Sequence, residues 1–382
     1  MSLARMPSAD LRDILDGSGG PFRLESLREG RCPWTAAEMG RNDGEGGEDP
    51  PAIAIGWLPK RPPSLPSEWF RTRSDGGKSR ARQPPVAVYY EHLSKAGGTS
   101  FCKLAQSNMP RIEVPDYCCM PSEPGMVDAR VGSWSADKMG KYFSSKAHRL
   151  VSNEWEPFQE EFFRLQAESD LDLEEEKGER PLLLFVTSIR NPINRLLSAH
   201  KFWGILHKKS KDKPQLGTWL KRLSRRAGNW EILSKDFKAN VGRFNFATWK
   251  FSGGSLPISF ETQAEELLSN NEGGGGGDTA VPVLEEEVWL EPFRAAVRNL
   301  ARFDLVIPME LLSDHPEPLT GLLGWTDFGK THVVPSGKVV NNDASTELSK
   351  GQYVALWDAN KLDILLYHWA CAVYLTRMNC KI

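Results

Sequence analysis

The sequence predicts an α/β fold, a central and mostly parallel sheet with helices around it, built as one domain behind a long proline-rich lead. Three observations carry this. Apolar runs at Val86–Tyr90, Leu182–Ile189 and Phe303–Pro308 read as strands, and the eight-residue second run suits a central parallel strand covered on both faces. The first two runs each pass through a short turn directly into a helix-like segment. With 382 residues, 40% of them hydrophobic, the chain can bury a substantial core, and residues 86–382 are taken as a single domain.

Residues 1–85 hold eleven of the 26 prolines, with glycine-rich and charged patches such as Arg41–Asp49. They read as extended or disordered, with a short helix near Ala9–Leu15, and Trp57 and Trp69 are available to pack back onto the domain.

In Val86–Cys102, Val86, Val88 and Tyr90 give the buried strand, and Gly97 and Gly98 remove Cβ atoms that would stop backbone N–H groups turning toward a ligand. A helix starting near Thr99 then places its unpaired first N–H groups, at the positive end of the helix dipole, where an anion is stabilised. Lys95 adds a mobile full charge. This loop, with Lys95 ahead of its glycines, does not have the Gly-x4-Gly-Lys-Ser/Thr order of nucleotide kinases, and the Gly-Lys-Ser run at Gly77-Lys78-Ser79 has Thr72 where that order needs its first glycine.

Further along, the Leu182–Ile189 run ends at Arg190. Asn191 can cap the next helix, Pro192 fits its first turn, and Leu196, Leu197 and Phe202 fall on a core-facing side. Ser198 follows on the same helix. A guanidinium at a strand end and a hydroxyl on the following helix can converge on one phosphate.

Two motifs carry a resemblance: Lys95-Ala96-Gly97-Gly98-Thr99-Ser100 and Arg190-Asn191-Pro192-Ile193-Asn194-Arg195-Leu196-Leu197-Ser198. In this order they resemble the sulfotransferases that use 3′-phosphoadenosine 5′-phosphosulfate (PAPS), in particular the Golgi carbohydrate branch related to the heparan sulfate enzymes. The likeness continues through Phe303–Val306 with Glu310 and through the Asn360–Tyr367 segment. The resemblance implies a three-layer α/β/α domain of P-loop type, PAPS as sulfuryl donor without a metal, and a carbohydrate hydroxyl as acceptor. It implies that Lys95, Ala96, Gly97, Gly98, Thr99 and Ser100 hold the 5′-phosphosulfate, and that Arg190 and Ser198 hold the 3′-phosphate. It also implies a catalytic base between the two motifs, a glutamate or a histidine. Glu154, just past a strand expected at His148–Asn153, is preferred, and His148, at the start of that strand, is the alternative. His92 is a further candidate for touching the acceptor, and Asn245 resembles a family position on the adenosine side. Two other readings stay open: an inactive relative that binds nucleotide or glycan, and a divergent P-loop kinase.

The remaining elements follow by pattern. Helices are expected over Phe101–Ser107, Trp155–Ala167, Leu216–Leu223, Lys235–Trp249 and Glu285–Leu300, and a surface loop over the acidic Ser169–Arg180 stretch. Five glycines in a row, Gly273–Gly277, mark a flexible insertion at about 269–282. Leu362, Leu365, Leu366, Trp369 and Val373 fall at helical spacing and read as one core-facing stripe. Among the thirteen tryptophans, Trp155, Trp203 and Trp249 lie near the proposed site, with packing the simpler use of each.

A net charge of −2 and a pI near 6.4 give no global pull toward nucleic acid. Charge is uneven locally. Residues Glu154–Glu179 carry eleven acids, whereas Lys201–Arg226 carry nine basic residues, a stretch able to steer an anionic donor or polysaccharide. Cysteines 32, 102, 118, 119, 371 and 380 show no metal-ligand spacing, permit disulfides, and leave the redox compartment open. No run is long enough to span a bilayer, and no signal peptide or anchor is evident. The family works in the Golgi lumen; this sequence leaves a cytoplasmic location open, and oligomeric state is undetermined.

Overall fold

The computed structural model of the chain describes residues 86–117, 119–121, 130–145, 147–174, 182–202, 216, 243–256, 286–329, 348 and 350–379. Outside them lie residues 1–85, the helix expected past Leu216, the stretch at about 269–282, and Trp203.

Among the described residues four segments form strands: β1 (Val86–His92), β2 (Leu150–Asn153), β3 (Leu182–Ile189) and β4 (Leu305–Pro308). They form one sheet in the order β2-β1-β3-β4, and every neighbouring pair is parallel. All eight residues of β3 are buried, as its apolar run requires of a strand covered on both faces. Among the described residues the helices are α1 (Gly98–Asn108), α2 (Ala136–Ser145), α3 (Phe163–Glu174), α4 (Pro192–Ala199), α5 (Phe246–Phe251), α6 (Glu286–Leu300), α7 (Glu317–Leu323), α8 (Lys350–Ala359) and α9 (Lys361–Asn379).

Side chains alternate along each strand, so the sheet feeds two cores. Ala87, Tyr89, Val151, Leu183 and Phe185 meet residues from α2, α3, α5, α6 and α9, while Val88, Tyr90, Leu184, Val186, Leu305 and Ile307 meet α1 and α7. Aromatic rings set the close fit of each face. Phe185 lies 4.9 Å from Phe163 and 5.3 Å from Tyr89 between ring centres; on the opposite face Tyr90 stacks on Phe101 at 3.9 Å. Such pairs add about 0.5–1.5 kcal/mol each beyond the area they bury. The Tyr90–Phe101 stack matters most here, because it ties the first helical turn after the glycine loop to the strand before it.

Several expected elements shift. The helix expected over Trp155–Ala167 starts only at Phe163, with a short 3-10 turn over Glu160–Phe162 before it. Pro157 disfavours helical backbone at the preceding residue, and Asn153 closes a non-helical turn by accepting from Glu156 N (3.3 Å) and donating to Glu156 O (3.0 Å). At its other end α3 runs through Glu174, so the acidic stretch begins as helix rather than loop. Of the helix expected over Lys235–Trp249, the described part starts at Phe246, because Asn245 sits in the left-handed region at φ 50°. The C-terminal helix α9 is buried on every side from Leu362 to Thr376 apart from His368, not along a single stripe. It serves both cores at once.

Cys102 and Cys119 form a disulfide between α1 and the segment after it, and Cys371 is buried in α9, outside any disulfide. No helix among the described residues is long and apolar enough to cross a membrane.

Candidate active site

From β1 the chain moves to one side of the sheet to form β2, and from β3 it moves to the other side to form β4. The loops leaving the carboxyl ends of β1 and β3 therefore part, and such a switch point is where open α/β sheets bind ligands. His92 pairs in register with Ser188, so the two loops emerge side by side.

The β1 loop is tightly built. Ala96 N donates to Leu93 O (2.9 Å), and Lys95 and Gly97 both take left-handed backbone, at φ 67° and 90°. Ser188 Oγ, on β3, donates to Ala96 O and also pairs with the Tyr90 hydroxyl, which locks the loop to the neighbouring strand. The two glycines are required sterically. A Cβ on Gly97 would lie 2.3 Å from the Met309 sulfur, and one on Gly98 would lie 1.9 Å from His92 Nε2. Helix α1 starts there with no side-chain cap and no acid in its first turn, so no capping side chain takes up the amides of Gly98, Thr99 and Ser100, the donors that suit an anion. Thr99 is half-buried and Ser100 buried.

Lys95 and Arg190 come together. Arg190 Nη1 donates to the Lys95 carbonyl (3.2 Å), and the Lys95 ammonium sits 3.7 Å above the centre of the Phe202 ring, just past α4. Burial lowers the Lys95 pKa from its ordinary 10.5 to about 8; Arg190 pushes the same way and Glu154 opposes. Burial also lowers the pKa of Arg190, against the pull of Glu310. Glu310 Oε1 stands 3.9 Å from Arg190 Nε and accepts from Asn191 N (3.1 Å). Asn191 caps α4 as the sequence suggests, accepting from Ile193 N and Asn194 N, with Pro192 in the first turn. Ser198 is half-buried on the second turn of α4, about 9 Å along its axis from Pro192.

Glu154 follows β2 directly and points back toward β1. Its side chain is 12% exposed, with Oε2 3.7 Å from His92 Nδ1. Burial lowers the His92 pKa, with Glu154 opposing, and His92 Nδ1 has no hydrogen-bond partner among the described residues. The His92 ring is wedged between Gly98 and Glu154, a second face of the same crevice.

His148 is not part of this group. It precedes β2, bonds the Tyr142 hydroxyl through Nδ1, and so lies at the opposite edge of the sheet from the β1 loop. In a parallel sheet the start of a strand cannot share a cleft with the ends of its neighbours. Asn245 is also placed elsewhere. Fully buried, it donates to Ala359 O (2.9 Å) and accepts from Leu362 N and Asp363 N, joining α5 to the α8–α9 junction. Trp155 and Trp249 are 8% and 3% exposed and offer no open aromatic face. Arg195, within the second motif, is buried, donates to Arg243 O (2.9 Å) and stacks over Phe246.

Three residues of the site escape a sequence reading. Phe202 lies beneath the Lys95 ammonium instead of in the core. Glu91 and Lys250, both fully buried, form an ion pair of 2.6 Å behind Glu154. Their one signal is a single charge within an otherwise apolar strand or helix, Val86–His92 and Phe246–Phe251.

Set against family models, curated proteins and solved structures, the chain matches none of them. The chemistry of the site therefore rests on its geometry: two cations and a row of amides that suit phosphate groups, next to a carboxylate paired with an imidazole.

Proposed function

We propose that this protein transfers a sulfuryl group from PAPS to a hydroxyl of a carbohydrate acceptor, on a single three-layer α/β/α domain of P-loop type. One observation carries the reading: Lys95 and Arg190, from separate motifs, come together at one crevice, with Arg190 Nη1 on the Lys95 carbonyl and Glu154 near enough to act on the Lys95 charge. Two anion-binding groups so placed suit the two phosphate ends of one bisphosphorylated nucleotide.

In this scheme the amides from Gly98 to Ser100, with the Ser100 and Thr99 hydroxyls, receive the 5′-phosphosulfate, with Lys95 beside its bridging oxygen. Arg190, with Ser198 further along α4, receives the 3′-phosphate. Glu154 takes the proton of the acceptor hydroxyl as its oxygen bonds to sulfur. The bond from sulfur to the bridging oxygen breaks, and 3′,5′-ADP leaves with the negative charge that Lys95 stabilises. Positioning and electrostatics supply most of the rate, as in phosphoryl transfer. His92, 3.7 Å from the Glu154 carboxylate, lines the crevice beside it.

Calorimetric titration with 3′,5′-ADP and with ATP tests donor recognition, and transfer of labelled sulfate to a panel of polysaccharides tests catalysis. Binding of 3′,5′-ADP in preference to ATP, with transfer to at least one acceptor, is expected. Preference for ATP would replace the proposal by the kinase reading. Nucleotide binding without transfer across a broad panel would replace it by an inactive relative.

A further inference from the structure

Lys250 sits inside the molecule with no exposed side-chain area, and its ammonium lies 2.6 Å from Glu91 Oε1. The same nitrogen donates to the carbonyls of Glu156 (2.7 Å), Glu154 (3.2 Å) and Asn153 (3.5 Å). An ammonium has three donors, so the carboxylate and the carbonyls of residues 154 and 156 take the short contacts and Asn153 the longest. Those carbonyls belong to the turn that carries Glu154.

A buried ion pair is weak grounds for stability, since two apolar residues of the same volume often serve a fold as well. What apolar residues cannot do is fix the directions of carbonyls in a segment outside any helix or strand. Residues 154–156, just past the end of β2, are such a segment. Apart from Lys250 it is held by the Asn153–Glu156 bonds, one of them at 3.3 Å, by Asn153 Nδ2 on Glu91 and by Arg130 Nε on Glu156 Oε1 (2.5 Å), and of these only the Asn153 amide reaches a carbonyl of the turn, that of Glu156. Lys250 is itself held firmly. Its helix, α5, is capped from α9, where Asp363 accepts from Ala247 N (2.9 Å) and Thr248 N (2.8 Å), and Phe158 N donates back to Lys250 O (2.9 Å). Glu91 is also anchored on all sides, accepting from the Tyr89 hydroxyl (2.6 Å) and from Asn153 Nδ2 (3.0 and 3.2 Å).

We infer that Lys250 is a positioning residue, which sets the direction of the Glu154 carboxylate by gripping the carbonyls of residues 154 and 156. The inference rests on the sulfotransferase reading of the site and adds to it a residue that never meets the substrate. Glu91 neutralises the ammonium, and the carbonyl bonds do the aiming.

The decisive comparison is between two double variants, Glu91→Gln with Lys250→Met and Glu91→Gln with Lys250→Gln. Both lose both charges at nearly the original length, and only the glutamine at 250 can donate to the carbonyls. With sulfate transfer to the best acceptor, 3′,5′-ADP affinity and thermal unfolding as readouts, both variants are expected to bind 3′,5′-ADP within about threefold of wild type. The methionine variant is expected to lose about a hundredfold in kcat, and the glutamine variant to recover at least tenfold of it, with KM for the donor unchanged in both. Equal kcat in the two folded variants overturns the inference and leaves the function standing. A wild type that does not bind 3′,5′-ADP overturns the function and this inference together. Should either variant not fold, a crystal structure of the wild type with 3′,5′-ADP decides. The Lys250 nitrogen is expected to stay on the carbonyls of 154 and 156, and its release toward the nucleotide overturns the proposal.

Discussion

Lys95→Met separates what the ammonium costs the fold from what it gives the ligand. Its pKa falls from 10.5 to about 8 because burial penalises the charged form. At about 1.4 kcal/mol per tenfold change in proton affinity, that interval corresponds to roughly 3 kcal/mol. The remaining solvent contact and the Phe202 ring return part of it, which leaves about 1–2 kcal/mol of destabilisation at neutral pH. Because the folded pKa lies below the unfolded one, the unfolded chain binds more protons between about 8 and 10.5, so this contribution improves as pH rises across that window. Below pH 8 the whole cost is present. Lys95→Met is therefore expected to be more stable than wild type at pH 7, with a melting temperature higher by roughly 3–6 °C, and to lose that advantage by pH 10. It is expected to bind 3′,5′-ADP more weakly by about 1.5–3 kcal/mol and to lose turnover. Thermal unfolding at the two pH values, with calorimetry at pH 7, reads both effects. A variant less stable than wild type at pH 7, or an advantage that grows with pH, refutes the account of a cation held at a cost for ligand binding.

Arg190→Ala is expected to weaken 3′,5′-ADP binding by about 1.5–3 kcal/mol with little change in unfolding, and an unchanged affinity in calorimetry would remove Arg190 from the site. Glu154→Gln should keep nucleotide affinity while sulfate transfer falls about a hundredfold or more; normal transfer would exclude Glu154 as the base. Gly98→Ala brings a methyl to 1.9 Å from a His92 ring already stacked on Tyr90, so a loss of about 1–3 kcal/mol in chemical denaturation and weaker 3′,5′-ADP binding are expected, and wild-type stability would show that the loop opens freely.

What the sequence reveals divides by how local the signal is. The β3 strand is legible because eight consecutive apolar residues admit no other use, and Lys95 and Arg190 are legible because each stands at a strand end beside its own glycine or capping turn. Glu154 could be placed by the same rule, since it follows a strand. That rule also excludes His148, which precedes one. The late start of α3 was harder to see, although Pro157 and the Asn153 turn mark it. Glu91 and Lys250 were out of reach because each is an isolated charge far from its partner in the chain, and nothing local says that the fold brings them together. Phe202 looked like a core residue by spacing, and its use as the seat of an ammonium depends on where the β1 loop lies.

On the proposed function, Arg190 would give the 3′-phosphate end of the site its selectivity, and Glu310 would set how much of it is realised. Its carboxylate holds the place of an anion, 3.9 Å from Arg190 Nε and 3.1 Å from Asn191 N. A nucleotide that carries a 3′-phosphate can take over those donors with a doubly charged group and three acceptor oxygens, a stronger partner for a guanidinium than one carboxylate. ATP has no phosphate at that position and leaves Arg190 with Glu310, gaining nothing there. The discrimination is then the difference between two charge-assisted pairs, less than the roughly 1.5–3 kcal/mol that one such pair is worth, so about tenfold. On the proposed function, Arg190 tells the two nucleotides apart against the competing Glu310 carboxylate, while the glycine loop, which meets phosphates common to both, does not.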